Sequence, residues 1–141
     1  MRTNVFRNER IAVSYDVMNG WTVVEVDGEV DAATQPRIRE AVTGLIGAGH
    51  RHFVLDLCFV PFLDSTALGA VVAITKRIRE HGGSLCIACR SPRMLKVFQY
   101  GGLRDVYDFY SSPQEATGQA PSALGQVRSS GGRGVPDEPG G

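Results

Sequence analysis

The sequence contains no apolar run approaching the roughly 20 residues needed to cross a bilayer, and Met1-Arg2-Thr3-Asn4 leads into polar residues instead of a signal-peptide core. It has no surplus of charge either. Fifteen basic residues balance fifteen acidic ones, so bulk charge draws the chain neither to nucleic acid nor to an anionic membrane. Cysteine is scarce and odd in number, with only Cys58, Cys86 and Cys89, which argues against a disulfide framework and for a cytoplasmic protein. Missing too are the G-x-S-x-G elbow, the Walker loop and the G-x-G-x-x-G fingerprint. Cys86-Ile87-Ala88-Cys89 matches C-x-x-C, yet it lies on a strand, where positions three apart point to opposite faces, and no second pair completes a zinc site. Structural thiols are the expectation, with no metal and no cofactor.

What remains is ample for one core: 141 residues, 43% of them hydrophobic. Ile11, Val13, Tyr15 and Val17 alternate with Ala12, Ser14 and Asp16 as in a half-buried strand. Asn19-Gly20 supplies a tight turn, and Trp21 to Val26 continues as the second strand of a hairpin. Ile38, Ala41, Val42, Leu45 and Ile46 fall at helical spacing, with a start between Ala32 and Pro36 and an end at Gly47 or Gly49. Phe53 to Leu57 reads as a strand buried on both faces.

A second helix starts at Asp64-Ser65-Thr66, runs to about His81 and is stopped by Gly82-Gly83. Ser84 to Cys89 is a strand, Ser91-Pro92 opens a third helix ended by Gly101-Gly102, Val106 to Tyr110 is a last strand, and Ser112-Pro113 starts a final helical turn. The order β-β-α-β-α-β-α-β implies an α/β domain with a mixed, mainly parallel sheet of about five strands, an antiparallel edge and flanking helices. Residues 1–8 form an N-terminal extension, residues 9–117 the domain, and residues 118–141 a tail. From Thr117 onward there are seven Gly, three Pro and three Ser with almost no large apolar side chain, a composition expected to be disordered.

The polar triplet Asp64-Ser65-Thr66 interrupts an apolar region and asks for a reason. Capping is one, because Asp and Ser side chains accept orphan N–H groups of a first helical turn. Display is another, since a serine at a helix start on a loop leaving a strand stands at the carboxyl edge of a sheet, where ligands and partners bind. Catalysis by Ser65 would need a base within about 3 Å. His50 and His52 belong at the other end of the preceding strand, and His81 lies at the far end of the helix that Ser65 begins. An enzyme is therefore not expected.

Val26-Asp27-Gly28-Glu29-Val30-Asp31, Leu55-Asp56-Leu57, Asp64-Ser65-Thr66-Ala67-Leu68-Gly69 and Phe98-Gln99-Tyr100-Gly101-Gly102-Leu103, in this order and at these intervals, resemble an anti-sigma factor antagonist of the STAS domain family over residues 9 to 117. Two small departures are Ala67, where the family often has Gly, and Gly101, where it often has a hydroxyl residue. The resemblance implies a bacterial partner-switching regulator. Unphosphorylated, it binds an anti-sigma factor that is also a serine-protein kinase, so that a sigma factor is released. Phosphorylation switches it off and a PP2C-type serine phosphatase reverses it. The phosphorylation site carried over is Ser65, and the partner-binding residues are Asp31, Asp64, Ser65, Thr66 and Leu68. Asp31 also has a structural alternative as a cap for the first helix. A non-switching scaffold or a small-molecule sensor on the same fold is the other functional alternative.

Overall fold

The computed structural model describes residues 1–121. The strands are β1 (Thr3–Arg7), β2 (Ile11–Met18), β3 (Trp21–Gly28), β4 (His52–Phe59), β5 (Ser84–Ala88) and β6 (Phe109–Tyr110). The helices are α1 (Gln35–Gly47), α2 (Ser65–Glu80), α3 (Pro92–Tyr100) and α4 (Pro113–Ala116). All six strands join one sheet in sequence order, antiparallel from β1 to β3 and parallel from β3 to β6. The mixed α/β sheet with an antiparallel edge is the architecture expected from the order of elements.

Alternation along the strands divides the side chains between two faces. Val13, Val24, Val26, Phe53, Leu55, Leu57, Leu85, Ile87 and Cys89 join the buried faces of α1, α2 and α3 in the main core. The opposite face carries a smaller cluster of Val23, Val54, Cys86 and Ala88, covered by Ala116 of α4 and flanked by Trp21, Cys58 and Tyr110. Cys86 and Cys89 thus lie on opposite faces, as their spacing requires, and both are free and buried. Burial pushes the Cys86 thiol up to about 12, so it is no thiolate nucleophile at neutral pH.

Three details depart from the sequence reading. No element was expected before Ile11, but Thr3–Arg7 pairs with β2 as a sixth strand, at an edge and with a bulge between Asn4 and Phe6. Its side chains are mostly exposed, so it has little hydrophobic periodicity to announce it. The last strand is shorter than Val106–Tyr110. Residues 103–108 turn instead, which carries Tyr107 into the core, edge-to-face with Phe98 and Phe109 and with its hydroxyl 2.7 Å from that of Thr75.

The third departure concerns the start of the tail. Thr117 is buried, its carbonyl accepts from Asn19 Nδ2 at 2.9 Å, and the Gln119 carbonyl accepts from Trp21 Nε1 at 2.8 Å. Composition missed this because backbone carbonyls, not apolar side chains, make the contacts. The rest of the expected disordered tail, residues 122–141, lies outside the described residues. A chain ending at Gly118 loses the acceptor of the Trp21 indole, so it should be less stable than one ending at Pro121 by about 0.5–1.5 kcal/mol. Paired urea melts of the two truncated proteins measure this, and coincident midpoints would show that the indole does not need Gln119.

Candidate functional site

Parallel pairing brings the carboxyl ends of β3, β4 and β5 to one edge of the sheet. The antiparallel partner β2 begins at that edge, because Ile11 pairs with Gly28. Hence the β1–β2 turn, the segment 29–34 and the segment 60–64 are neighbours. Gly28 permits the close approach: its φ is +124° and a Cβ there would stand 2.2 Å from the Arg10 carbonyl, which instead accepts the Glu29 N–H at 3.1 Å.

The segment between β4 and α2 is pinned by Val60 and Leu63, 5% and 4% exposed, while Pro61 and Phe62 between them face solvent. Asp64 is the N-cap of α2, with extended backbone and its Oδ1 accepting from Ala67 N at 2.8 Å. Its own carbonyl accepts the Leu68 N–H at 2.9 Å. Ser65 and Thr66 are therefore the first two helical residues, and both are exposed. The amides at such positions have no intrahelical acceptor and give the helix start its partial positive charge.

Leu68 is half-buried against the core and lies against Gly101, where a Cβ would come within 2.6 Å of its Cδ2. Gly101 leaves that space to the Leu68 side chain, and a bulkier residue there would require Leu68 to move. Two other large apolar side chains at this edge are exposed, Phe59 at 50% and Phe62 at 53%. Reading the sequence for core residues missed them, because both lie in the apolar run 57–63.

Asp31 is engaged at both oxygens. Oδ1 accepts from the N–H groups of Ala33 and Thr34 at 2.9 and 3.0 Å, and Oδ2 pairs with Arg10, which also reaches Glu29 at 3.0 Å. The Arg10 guanidinium and these backbone donors hold the Asp31 carboxyl below its usual range against some desolvation. Thr34, 3% exposed, closes the turn by donating to the Glu29 carbonyl at 2.7 Å and accepting from the Asp31 N–H at 2.9 Å. Asp31 thus caps the turn that leads into α1, whose own N-cap Thr34 makes no side-chain capping bond to it. Neither Arg10 nor Thr34 stood out in the sequence, since a lone arginine after a polar turn and a threonine ahead of a helix carry no periodic signal.

The histidines are elsewhere. His50 Nδ1 lies 2.6 Å from Thr22 Oγ1 and His52 Nδ1 lies 2.9 Å from Ser84 Oγ. They flank the start of β4, about 23 Å of extended strand from its other end, and His81 follows α2 about 24 Å of helix from Ser65. No histidine adjoins Ser65. The geometry gives an exposed hydroxyl on a helix start, at the sheet edge that also carries Asp31, Asp64 and the exposed Phe59 and Phe62, which suits modification and protein contact.

Likenesses to known proteins are found at the level of family, sequence and fold. Residues 12–116 match the STAS domain family model. The anti-sigma-B factor antagonist of Bacillus subtilis is 34% identical over 87 residues, covering 60% of this chain and 77% of that protein. Among solved structures, an anti-sigma factor antagonist from Mycobacterium paratuberculosis superimposes with a TM-score of 0.68 at 24% identity, covering 78% of this chain and 93% of that one. The Bacillus cell fate determinant SpoIIAA in its phosphorylated form superimposes with a TM-score of 0.59 at 25% identity, covering 74% of this chain and 96% of that one. With a family match over most of its length, and with Asp64, Ser65 and Asp31 on one edge of the matching fold, this chain belongs to the STAS domain family and is similar to its anti-sigma factor antagonists.

Proposed function

We propose that this chain is an anti-sigma factor antagonist that binds an anti-sigma factor with serine-protein kinase activity, so that a sigma factor is released, and that phosphorylation of Ser65 by that kinase ends the interaction. A PP2C-type serine phosphatase restores the active form. The observation that carries the reading is the exposed Ser65 at the start of α2, held at the sheet edge by the Asp64 cap. Support comes from the name of the Bacillus subtilis relative and from SpoIIAA, a protein of this fold with a phosphorylated form.

Asp31, Asp64, Ser65, Thr66 and Leu68 form the partner-binding edge, and the exposed Phe59 and Phe62 add apolar contact area to it. A phosphoryl group on Ser65 adds roughly −1.5 to −2 charges at pH 7. The helix start tolerates that charge, since its partial positive charge attracts an anion. A partner packed closely over the neutral Ser65 hydroxyl has no room for the phosphoryl group and meets it as a steric clash and a desolvation cost. Binding is lost while the fold is kept, and this chain performs no chemistry itself.

Incubating the protein with ATP and its cognate kinase, followed by tandem mass spectrometry, tests the assignment. A gain of about 80 Da, the mass of one phosphoryl group, should map to Ser65. Mapping to Thr66, Ser111 or Ser112 would refute it. Ser65→Ala should bind the anti-sigma factor and resist the switch, whereas Ser65→Asp should bind more weakly with an unchanged fold.

The two acids at this edge should separate in a joint melting and binding experiment. Asp64→Ala removes an N-cap and should cost about 0.5–2 kcal/mol of stability, with weaker binding because Ser65 is displaced. Asp31→Ala frees two turn N–H groups and unpairs Arg10, so it too should melt early, and Asp31→Asn should keep much of that stability because its side-chain oxygen can still cap. If Asp31 is also read by the partner as a charge, Asp31→Asn should weaken the complex by an amount that shrinks as salt is raised. Unchanged affinity in Asp31→Asn would leave Asp31 with a structural role alone.

A further inference from the structure

From the Ser65 edge an apolar strip continues along α2. Leu68 lies one turn beyond Ser65 and packs against Gly101, and Val72 lies one turn farther on. Val72 and Val106, each 41% exposed, line a groove of about 400 Å³ together with half-buried Leu103. Tyr100, the neighbour of Gly101, is 82% exposed. The far wall is held in place, because the Leu103 N–H donates to the Phe98 carbonyl at 2.8 Å, the Val106 N–H donates to the Leu103 carbonyl at 3.0 Å, and the Tyr107 hydroxyl meets that of Thr75 on α2 at 2.7 Å. The groove is preformed, and α2 itself fixes its position relative to Ser65.

Area and the distribution of apolar surface indicate what covers it. A stable protein complex buries about 800 Å² on each partner, from roughly 20–30 residues a side. Asp31, Asp64, Ser65, Thr66 and Leu68 supply only a fraction of that, so a complex centred on Ser65 has to reach beyond them. Past the N-terminal residue, the large apolar side chains that are exposed among the described residues fall into two groups. Val5 and Val17 lie on β1 and β2, whereas Phe59 and Phe62 lie at the Ser65 edge and Val72, Tyr100 and Val106 lie along α2 and the segment 100–106. Charge selects no sign of partner here, since Lys76 and Arg79 at the groove are offset by Glu80 and by Asp105 beside Val106. Apolar walls with balanced charges around them match an apolar face of a partner.

Resting on the anti-sigma factor binding proposed above, we infer that the footprint of that same partner extends from Ser65 along α2 into this groove, where an apolar side chain of the anti-sigma factor seats between Val72, Leu103 and Val106 with Tyr100 at the rim. The interface then has two parts with different duties. The Ser65 edge senses the phosphoryl group. The groove, about 10 Å along α2 at Val72, contributes affinity through contacts that touch no reacting atom.

The test uses the full chain and the anti-sigma factor kinase that phosphorylates it. Val72→Ser combined with Val106→Ser should weaken the complex about tenfold or more, and Tyr100→Ser should weaken it severalfold, whereas Val5→Ser combined with Val17→Ser should not. Because the contact is apolar, the loss should be the same at low and high salt. Phosphorylation of the groove variants should show a raised KM with kcat unchanged, as expected for binding that is uniform through the reaction. In the wild-type complex, amide hydrogen exchange should slow at residues 100–106 as well as at 60–68. Thermal melts separate lost docking from lost folding, and Tyr100→Ser alters a side chain too exposed to endanger the fold. Normal affinity and KM in the groove variants, or exchange protection confined to 60–68, with the kinase bound and Ser65 phosphorylated, would overturn this inference alone. A wild-type chain that the kinase neither binds nor phosphorylates would overturn the underlying reading and this inference with it.

Discussion

One hydrogen bond decides how the candidate edge is presented, that from the Ala67 N–H to Asp64 Oδ1 at 2.8 Å. It fixes the first residue of α2, and with it the rotational phase of the whole helix. Ala67, Ala70, Val71, Ile74 and Ile78 are then directed into the core, and on a helix of 3.6 residues per turn Ser65 falls on the opposite side from Ala67. Buried Leu63 just before the cap and Ala67 just after it hold the segment from both directions. Ser65 faces solvent because Leu63 and Ala67, two residues to either side, are buried, with no strain and no partner of its own required.

The sheet supplies the second constraint. Parallel strands place their carboxyl ends together, so the segments after β3 and β4 are adjacent without any contact needing to draw them together. The reversed direction of β2 adds the turn carrying Arg10 to the same edge. Arg10 then restrains Asp31 and Glu29, and Thr34 closes the segment below. These are mostly exposed ion pairs, whose contribution to global stability is small. Their effect is local, in giving the 29–34 segment one conformation.

How much of this was legible in the sequence follows from what each element spends its side chains on. β2, β3, α1, β4, α2, β5 and α3 bury apolar side chains at regular spacing, and periodicity found all of them. Asp64 and Ser65 were legible for a different reason, since capping chemistry has a residue signature. β1 was not, because an exposed edge strand is held by backbone pairing that any sequence can supply. Tyr107 read as part of a strand and instead turns into the core, where Phe98, Phe109 and Thr75 receive it, partners whose proximity only the fold creates. Asp31 was readable as a cap or as a contact. Its Arg10 partner lies 21 residues away in sequence and could not be seen locally.

The charges along α2 give the helix two unlike ends. Asp64 stands at its start with Asp31 at the same sheet edge, and Lys76, Arg77 and Arg79 near its finish. Both placements favour the helix, since acids are stabilising at the positive end of the helix dipole and bases at the negative end. A phosphoryl group on Ser65 would follow the same rule for the helix and break the proposed complex, because a partner closed over a neutral hydroxyl leaves a dianion neither room nor solvation. Charge added there costs the isolated domain little and an assembled interface much. That inequality is what the proposed switch needs, and it would come from the direction of one helix together with the side on which its cap leaves the serine.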